Sequence, residues 1–436
     1  MTRRQTALLV LAILAYVGAL VGGGSYFSMR AERGDRELPV YVVGGERMAA
    51  GAEIYRRGAD GKPFTYPPFA AVPFVPLAGA SAAWQPILWF AINLHLLLGI
   101  LAVLHFWAVR PSPGRAPPRL LWFWVLTLLV GGHHVASVFS NQSHDLVVAI
   151  LVVLTARAWS LGSASAGVWA GAGAAIKATP LIFLGLFGAR LRIAPLAALI
   201  ATAAVLSLLP DWLFPRADGH SWVVAWFDVN LRGLEVGGTA SADGAWNAHS
   251  YLNQSLSGAF TRLFTPPVIT GDFVDETAML VDLGPAGCKV ATLASEVAVL
   301  ALLVLCARRG ARAVAANADR RATQRTVGFG EVAAFACGMV LLSPQSSKAH
   351  FCIWLLPAAF LADRLTRGPR DRLLWPLVIG ALVLGPLMTK GIVGSGVGNF
   401  MLARGNVAVS TLLLLLATLR ALWTEPTTRD SERAQP

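Results

Sequence analysis

The sequence predicts an all-α, multi-pass membrane protein built as one domain over residues 1–436, and three observations predict it. Hydrophobic side chains make up 55% of the chain and charged ones 14%, with a mean hydropathy of +0.59, so lipid rather than water must be the main solvent. Apolar runs of about 20 residues, the length of a helix that crosses a bilayer core, recur along the chain. Arginines collect in short clusters between alternate runs, as in cytoplasmic loops.

The runs lie near 7–27, 82–107, 119–138, 144–160, 192–213, 289–307, 326–343, 349–364, 372–392 and 402–423, giving an expectation of ten or eleven spans. The first follows Arg3 and Arg4; its length and the spans after it read as an uncleaved anchor rather than a signal peptide. Starting from a cytoplasmic N-terminus, parity places Arg110–Arg119, Arg308–Arg325 and Arg364–Arg372 on the cytoplasmic side, together with a short tail at 424–436. The localisation expected is a bacterial inner membrane with both termini inside.

Residues 167–188 test this scheme. They are long enough to cross once, yet Arg157 precedes them and Arg190 and Arg192 follow. A re-entrant hairpin turning at Lys177-Ala-Thr-Pro180 keeps both clusters inside, and proline helps break the helix at the turn. The non-cytoplasmic side then receives the loop 28–81, the turn Ser140–Asp145, the acid-rich loop 211–288, the turn Ser343–His350 and the glycine-rich stretch 391–400, with short loop helices among them.

Several function classes are excluded or demoted. The net charge of +12 is scattered between apolar runs, not gathered on a surface for nucleic acid. Cys288, Cys306, Cys337 and Cys352 lack disulfide or zinc spacing and read as packing residues. Adjacent His133 and His134 point about 100° apart on a helix, a poor metal pair. His95, His105, Glu296 and Glu331 read as interhelical hydrogen-bonding groups, and Trp84, Trp89, Trp122, Trp124 and Trp212 as an interfacial belt. No metal or cofactor is expected.

Lys177 carries the strongest signal of any single residue. A lysine at membrane depth costs about 2.5–3.5 kcal/mol even on insertion scales, so it must face a cavity or a partner. It is read as a phosphate ligand or, alternatively, as half of an ion pair with an acid of a loop.

The segments Glu37–Tyr41, Gly51–Tyr55 and Phe64-Thr-Tyr-Pro-Pro68, followed by Asn141-Gln142, Gly171–Pro180, Asn253-Gln-Ser255 with Arg262, and Ser343-Pro344 with His350 and Trp354–Pro357, resemble glycosyltransferase family 87 of the GT-C superfamily. The resemblance covers most of the chain. It implies a membrane enzyme that moves a sugar, mannose by family analogy, from a polyprenyl phosphate to a hydroxyl of an envelope glycolipid or polysaccharide, with inversion and without metal. Its implied partners are that donor, that acceptor and membrane lipid. It also implies a carboxylate base four residues before Tyr41, where this chain has Glu37 in place of the family's aspartate; Asp35 is the alternative. Lys177, Arg262, His350 and Lys348 become candidate ligands of the donor phosphate. Tyr41, Tyr66, Asn141, Gln142, His249, Asn253 and Gln254 become candidate sugar or acceptor contacts, as opposed to groups that satisfy loop backbone. Asp145 belongs with these polar loop residues. Two other readings stay open: a transporter or flippase of a lipid-linked glycan, and a non-catalytic lipid-binding member.

Overall fold

A computed structural model describes residues 3–31, 36–56, 62–108, 117–235, 237–239, 245–267, 271, 273–367 and 371–424. Every regular element among them is helical. The chain opens with α1 (Arg3–Ala31), α2 (Leu38–Ala49), α3 (Phe74–Ala78), α4 (Trp84–Ala108), α5 (Pro117–Asn141) and α6 (Asp145–Ser160). It continues through α7 (Ser165–Ile176), α8 (Phe183–Ala189), α9 (Ile193–Leu213), α10 (Trp222–Trp226), α11 (Leu256–Phe264) and α12 (Gly284–Ala316). The last third holds α13 (Arg320–Leu341), α14 (Leu355–Arg367), α15 (Leu374–Leu384), α16 (Lys390–Ala403) and α17 (Asn406–Trp423), with a 3-10 turn at Lys348–Trp354 leading into α14.

Among the described residues five helices, α4, α5, α9, α12 and α17, are long and apolar enough to cross a membrane, or six if α15 and α16, bent by 92°, count as one broken span. The expectation of ten or eleven is therefore not reached, for identifiable reasons. Helix α6 has only 16 residues. The run at 349–364 begins as 3-10 structure and becomes α-helical only at Leu355. Helix α13 has 22 residues, but Arg320, Arg321, Gln324, Arg325 and Glu331 lower its hydropathy, and it is buried from Val327 to Leu341. Its glycines permit this: a Cβ at Gly330 would lie 2.6 Å from both Phe360 and Leu422, the close approach by which small residues pack helices in the absence of a strong hydrophobic drive.

Helices α7 and α8 form a hairpin, visible in what its tip and its feet touch. The tip, at Lys177, reaches Asp145, the first residue of α6. Arg190, just past α8, bonds Gln324 and approaches Glu331, while Gln324 donates to the carbonyl of Trp159 near the last turn of α6. Arg192 donates to the carbonyl of Gly162. The chain has thus gone up α7, away from the end of α6, and come back down α8. Helix α7 ends where Lys177 turns extended (φ −149°, ψ 122°), and Pro180 sits in the 3-10 turn Thr179–Ile182 that follows. Helix α9 then runs parallel to α7, Gly167 lying against Pro195 and Gly171 against Leu199.

Long-range polar contacts link helices and loops. Glu331 accepts a hydrogen bond from the Trp159 indole at 2.8 Å, and Tyr16 meets His95 at 2.8 Å between α1 and α4, as the interhelical readings of Glu331 and His95 require. All four cysteines are free and buried. Arg216 pairs with Glu53 and Asp218 and lies over Trp222. Together with the Ala217 amide on the Gly51 carbonyl, it ties the segment after α9 to that after α2.

The α7–α9 crossing gives a direct test. A Cβ at Gly167 would fall 2.0 Å from the Pro195 carbonyl oxygen, and backbone cannot move aside as a side chain can. Gly167→Leu should cost at least the roughly 1–3 kcal/mol of an overpacked core, read as a lower melting temperature in detergent. Gly188→Ala, whose Cβ meets nothing within 4 Å, should melt like the parent protein.

Candidate functional site

Two helix ends with opposite needs meet at the tip of the hairpin. Asp145 opens α6, where partial positive charge on free amides favours a carboxylate, and Lys177 closes α7, where free carbonyls favour a cation. Their side chains join at 2.8 Å and are 6% and 11% exposed, so the lysine at depth has its partner. That partner was identifiable only as a loop acid in the sequence; here it is Asp145, the residue that ends the Ser140–Asp145 turn.

His350 completes this group. Its Nε2 lies 3.8 Å from Asp145 Oδ1, and its Nδ1 accepts the Ser347 amide at 3.2 Å. With Nδ1 occupied as acceptor, the neutral ring carries its proton on Nε2, toward Asp145. The ring is nearly enclosed, with its side chain 14% exposed. A cavity beside these groups is lined by Asp145, Lys177, Thr179, Ser346, His350 and Cys352, with apolar walls from α6 and α13.

The aromatic residues expected in the first loop gather next to it. Tyr66 lies under Lys177, 5.7 Å from amine to ring centroid, and edge-on to His144 at 4.2 Å. The His144 Nδ1 is 2.9 Å from the Tyr41 hydroxyl, and Tyr41 stacks on Phe74. His144 is buried, and its Nε2 has no hydrogen-bond partner among the described residues. His144 is a site residue that sequence reasoning missed; nothing in the spacing marks it apart from its place beside Asp145.

Glu37 caps the start of α2 and donates its amide to the Asn141 carbonyl at 3.0 Å, fastening the first loop to the Ser140–Asp145 turn. It is outside the cavity lining but within electrostatic reach of the pair. Burial raises its pKa above the ordinary glutamate value, with exposed Lys62 opposing, Asp145 adding and Lys177 opposing. A carboxylate so placed is a stronger base than one in water. Asp35 lies outside the described residues. Gln142 adopts a left-handed conformation (φ 56°), reaches the Phe27 carbonyl with Nε2, and receives the Trp89 indole on its own carbonyl. It organises the turn rather than facing the cavity.

The remaining candidates are not brought to this group. Arg262 is buried with Nη1 on the Ser250 and Asn253 carbonyls and Nε on that of Ala403, because α11 turns it back toward its own loop; it clasps backbone where a phosphate role would need free donors at Lys177. Asn253 accepts the Ser255 and Ser346 amides and donates to the Pro344 carbonyl. Gln254 spans the Tyr251 and Leu402 carbonyls and accepts the Val407 amide. His249 bonds Thr265 at 3.0 Å. Asn253 holds the loop around α11 to the Pro344–Ser346 turn and so supports one wall of the cavity, Gln254 and Arg262 hold it to the junction of α16 and α17, and the His249 bond stays within the loop. Among the described residues no ion pair joins Lys348 to Asp145, whose partners are Lys177 and His350.

The sequence model of glycosyltransferase family 87 matches residues 64–344, a range that includes Tyr66, His144, Asp145, Lys177 and Arg262 and leaves Glu37 and His350 outside. A polyprenol-phosphate-mannose-dependent alpha-(1-2)-phosphatidylinositol mannoside mannosyltransferase of Mycolicibacterium smegmatis is 27% identical over 360 residues, which cover 78% of this chain and 71% of that one. A protein of the same description from Mycobacterium tuberculosis is 26% identical, covering 80% and 74%. A phosphatidylinositol pentamannoside mannosyltransferase of M. smegmatis, also polyprenol-phosphate-mannose-dependent, is 28% identical, covering 87% and 79%. No solved structure matches.

Arg262→Met separates the backbone clasp from a phosphate role. It leaves three carbonyls without their donor, each worth about 1–3 kcal/mol when buried. The expected result is a lower melting temperature and faster proteolysis near residues 245–267, with polyprenyl phosphate still bound by the folded fraction. Unchanged melting with lost phosphate binding would assign Arg262 to the ligand instead.

Proposed function

The chain belongs to glycosyltransferase family 87, and from that premise we propose that it transfers mannose from a polyprenyl phosphate to a hydroxyl of a membrane glycolipid. The relatives' names supply the donor and the acceptor class. The observation that carries the reading to this chain is the meeting of Lys177, Asp145, His350 and Glu37 at one end of the bundle.

The chemistry divides among these residues. A phosphate leaves readily once its growing charge is stabilised, so cationic and hydrogen-bonding groups matter more at that oxygen than a strong acid. Lys177 supplies the charge, and the His350 Nε2–H a hydrogen bond. Asp145 is the counter-ion of Lys177 until the donor phosphate takes the amine. On the opposite face of the sugar the acceptor hydroxyl gives its proton to the Glu37 carboxylate. Its oxygen forms the bond to the anomeric carbon as the anomeric C–O bond to phosphate breaks. The bonding pair departs with the phosphate, leaving polyprenyl phosphate and an inverted glycoside. Tyr41, Tyr66 and His144 form the aromatic floor between the two charged groups, with the free His144 Nε2 available to a sugar hydroxyl.

The same reading places this end of the bundle on the non-cytoplasmic face, where lipid-linked donors are used. The runs at 144–160, 326–343 and 349–364 then cross within the bundle, shielded from lipid by their neighbours, and the α7–α8 hairpin enters and leaves on the cytoplasmic side. A cysteine at Arg312 should react with an impermeant reagent only from the cytoplasm and one at Gly238 only from outside; the reverse pattern overturns this orientation.

Glu37→Gln keeps size and most hydrogen bonding and removes the basic charge. Mannose transfer from polyprenyl-phosphate mannose should fall about 100-fold to 10,000-fold, the usual weight of general-base catalysis, with donor binding little changed. Asp35→Asn should change it far less. The sign of the pH dependence follows from the raised Glu37 pKa: the base works only when deprotonated, so kcat/KM should decline with falling pH through a value above the ordinary glutamate range. That limb should be absent from the residual activity of Glu37→Gln. Near-parental turnover by this variant removes Glu37 from the mechanism.

A further inference from the structure

The turn between α5 and α6 leaves polar atoms unused. Gln142 Oε1, Ser143 Oγ and His144 Nε2, on three successive residues, are buried and have no hydrogen-bond partner among the described residues; the three residues are 0%, 3% and 2% exposed. The loop around α11 behaves differently. There Asn253 and Gln254 commit both the nitrogen and the oxygen of their amides to backbone groups. Buried polar atoms are nearly always paired in folded proteins, so three orphans in a row call for a partner from outside the chain.

The backbone explains why these side chains are idle. Gln142 is left-handed, the Ser143 amide donates to the Val138 carbonyl at 3.1 Å and the Gln142 amide to that of Phe139 at 3.4 Å, a pair of bonds that closes a helix without side-chain help. The next helix opens in the same way. His144 is the N-cap of α6 and makes no side-chain cap hydrogen bond, and Ser143, a residue type that commonly caps, bonds nothing with its hydroxyl. The turn is also pinned at both ends: the Asn141 carbonyl accepts the Glu37 amide at 3.0 Å, and Asp145 holds Lys177 at 2.8 Å. It therefore runs from the proposed base to the proposed phosphate-directed cation, the span that a transferred sugar must occupy. In its middle the His144 ring is fixed by the Tyr41 hydroxyl, 2.9 Å from Nδ1, and by the Tyr66 ring at 4.2 Å. Nε2 is the one polar atom that the ring has left to give.

Resting on the transferase reading and deepening it, we infer that Ser143 and His144 determine sugar specificity, each taking a different hydroxyl of the transferred pyranose. The chemistry of the free atoms selects a hydroxyl over a charged group. The Ser143 hydroxyl both donates and accepts, and His144 Nε2 donates or accepts according to whether Tyr41 gives its proton to Nδ1 or receives one from it. A sugar hydroxyl meets either case. An ionised phosphate has no proton to give Gln142 Oε1, and an ammonium has no lone pair to offer Ser143. Because the atoms are buried, a sugar that lacks the matching hydroxyl leaves its partner unpaired again, which is how a polar site rejects a deoxy analogue.

The test is equilibrium binding to the purified full chain in uncharged detergent, with polyprenyl phosphate, polyprenyl-phosphate mannose and the 2-, 3-, 4- and 6-deoxy analogues of the latter as probes. The parent protein should bind the mannosyl lipid more tightly than the bare lipid phosphate. Ser143→Ala and His144→Phe, the second of which keeps a ring against Tyr66, should each weaken mannosyl-lipid binding roughly tenfold, the worth of one hydrogen bond. Polyprenyl phosphate binding should stay at the parental value, which guards against a folding defect. A purely structural role would not produce coupling to the substrate: for each variant, one deoxy analogue should bind variant and parent alike, because the missing hydroxyl and the missing side chain remove the same bond. The two variants should couple to different hydroxyls. Coupling in one variant alone keeps that residue and removes the other. Equal affinity of the parent for mannosyl and bare lipid, additive losses with all four analogues in both variants, or an equal loss of polyprenyl phosphate binding overturns the inference. Because binding is read without turnover, a failure of transfer with these affinities intact would count against the transferase reading and not against the sugar contacts.

Discussion

A lysine in the interior of a helical bundle requires a counter-charge, and much of the arrangement at this end of the protein follows from how Lys177 obtains one. Removing a single member of a buried ion pair costs about 3–5 kcal/mol, so the Asp145–Lys177 contact at 2.8 Å fixes the height of the α7–α8 hairpin against α6. The hairpin in turn fixes α9 through the glycine contacts at Gly167 and Gly171. From the same carboxylate, His350 is aimed by its capping bond to Ser347, and Ser346 and Asn253 connect that turn to the loop around α11. The ion pair thus joins segments far apart in the chain, each of which brings one polar residue.

The division of labour among the basic residues follows from local geometry rather than from residue type. Arg262 has the chemistry of a phosphate ligand, but two carbonyls of its own loop and that of Ala403 take its Nη1 and Nε donors, leaving Nη2 without a partner among the described residues. Lys348 lies two residues from His350, and a 3-10 turn separates them by about a third of a rotation; among the described residues no ion pair joins it to Asp145. Lys177 alone combines depth, a bound carboxylate and a cavity wall. Glu37 acquires its raised pKa from burial on the loop side, so the proposed base and the proposed phosphate-directed cation sit in different surroundings although Glu37 feels the charge of Lys177.

What the sequence made legible was whatever depends on composition and charge parity. The helical class follows from hydropathy, and the hairpin follows from Arg157, Arg190 and Arg192 flanking a run broken at Pro180. The gathering of Tyr41, Tyr66, Lys177 and His350 was legible only through the family resemblance. Less legible was anything decided by packing. The span count exceeded what length and hydropathy support among the described residues, because α6 has only 16 residues, the run at 349–364 begins as 3-10 structure, and α13 carries Arg320, Arg321, Arg325 and Glu331. Asp145 as the partner of Lys177 is a contact across 32 residues, and no periodicity encodes it. His144 owes its place to the same turn. Gln142, Asn253 and Gln254 carry amides that suit sugars and backbone equally, and only the bonds to Phe27, Pro344 and Leu402 show which use the fold makes of them.

The central claim is that Lys177 is held by Asp145 in readiness for a phosphate. Affinity for polyprenyl phosphate, measured on the parent protein, Lys177→Met, Asp145→Asn and the double variant, tests it most directly, since the two single variants are predicted to move in opposite directions. Losing the lysine should weaken binding by tenfold or more, whereas neutralising the aspartate removes a competing anion and should leave binding as tight or tighter, with the double variant weak. Equal weakening by both single variants, or parental affinity in Lys177→Met, would contradict the account and leave the ion pair as a structural strut.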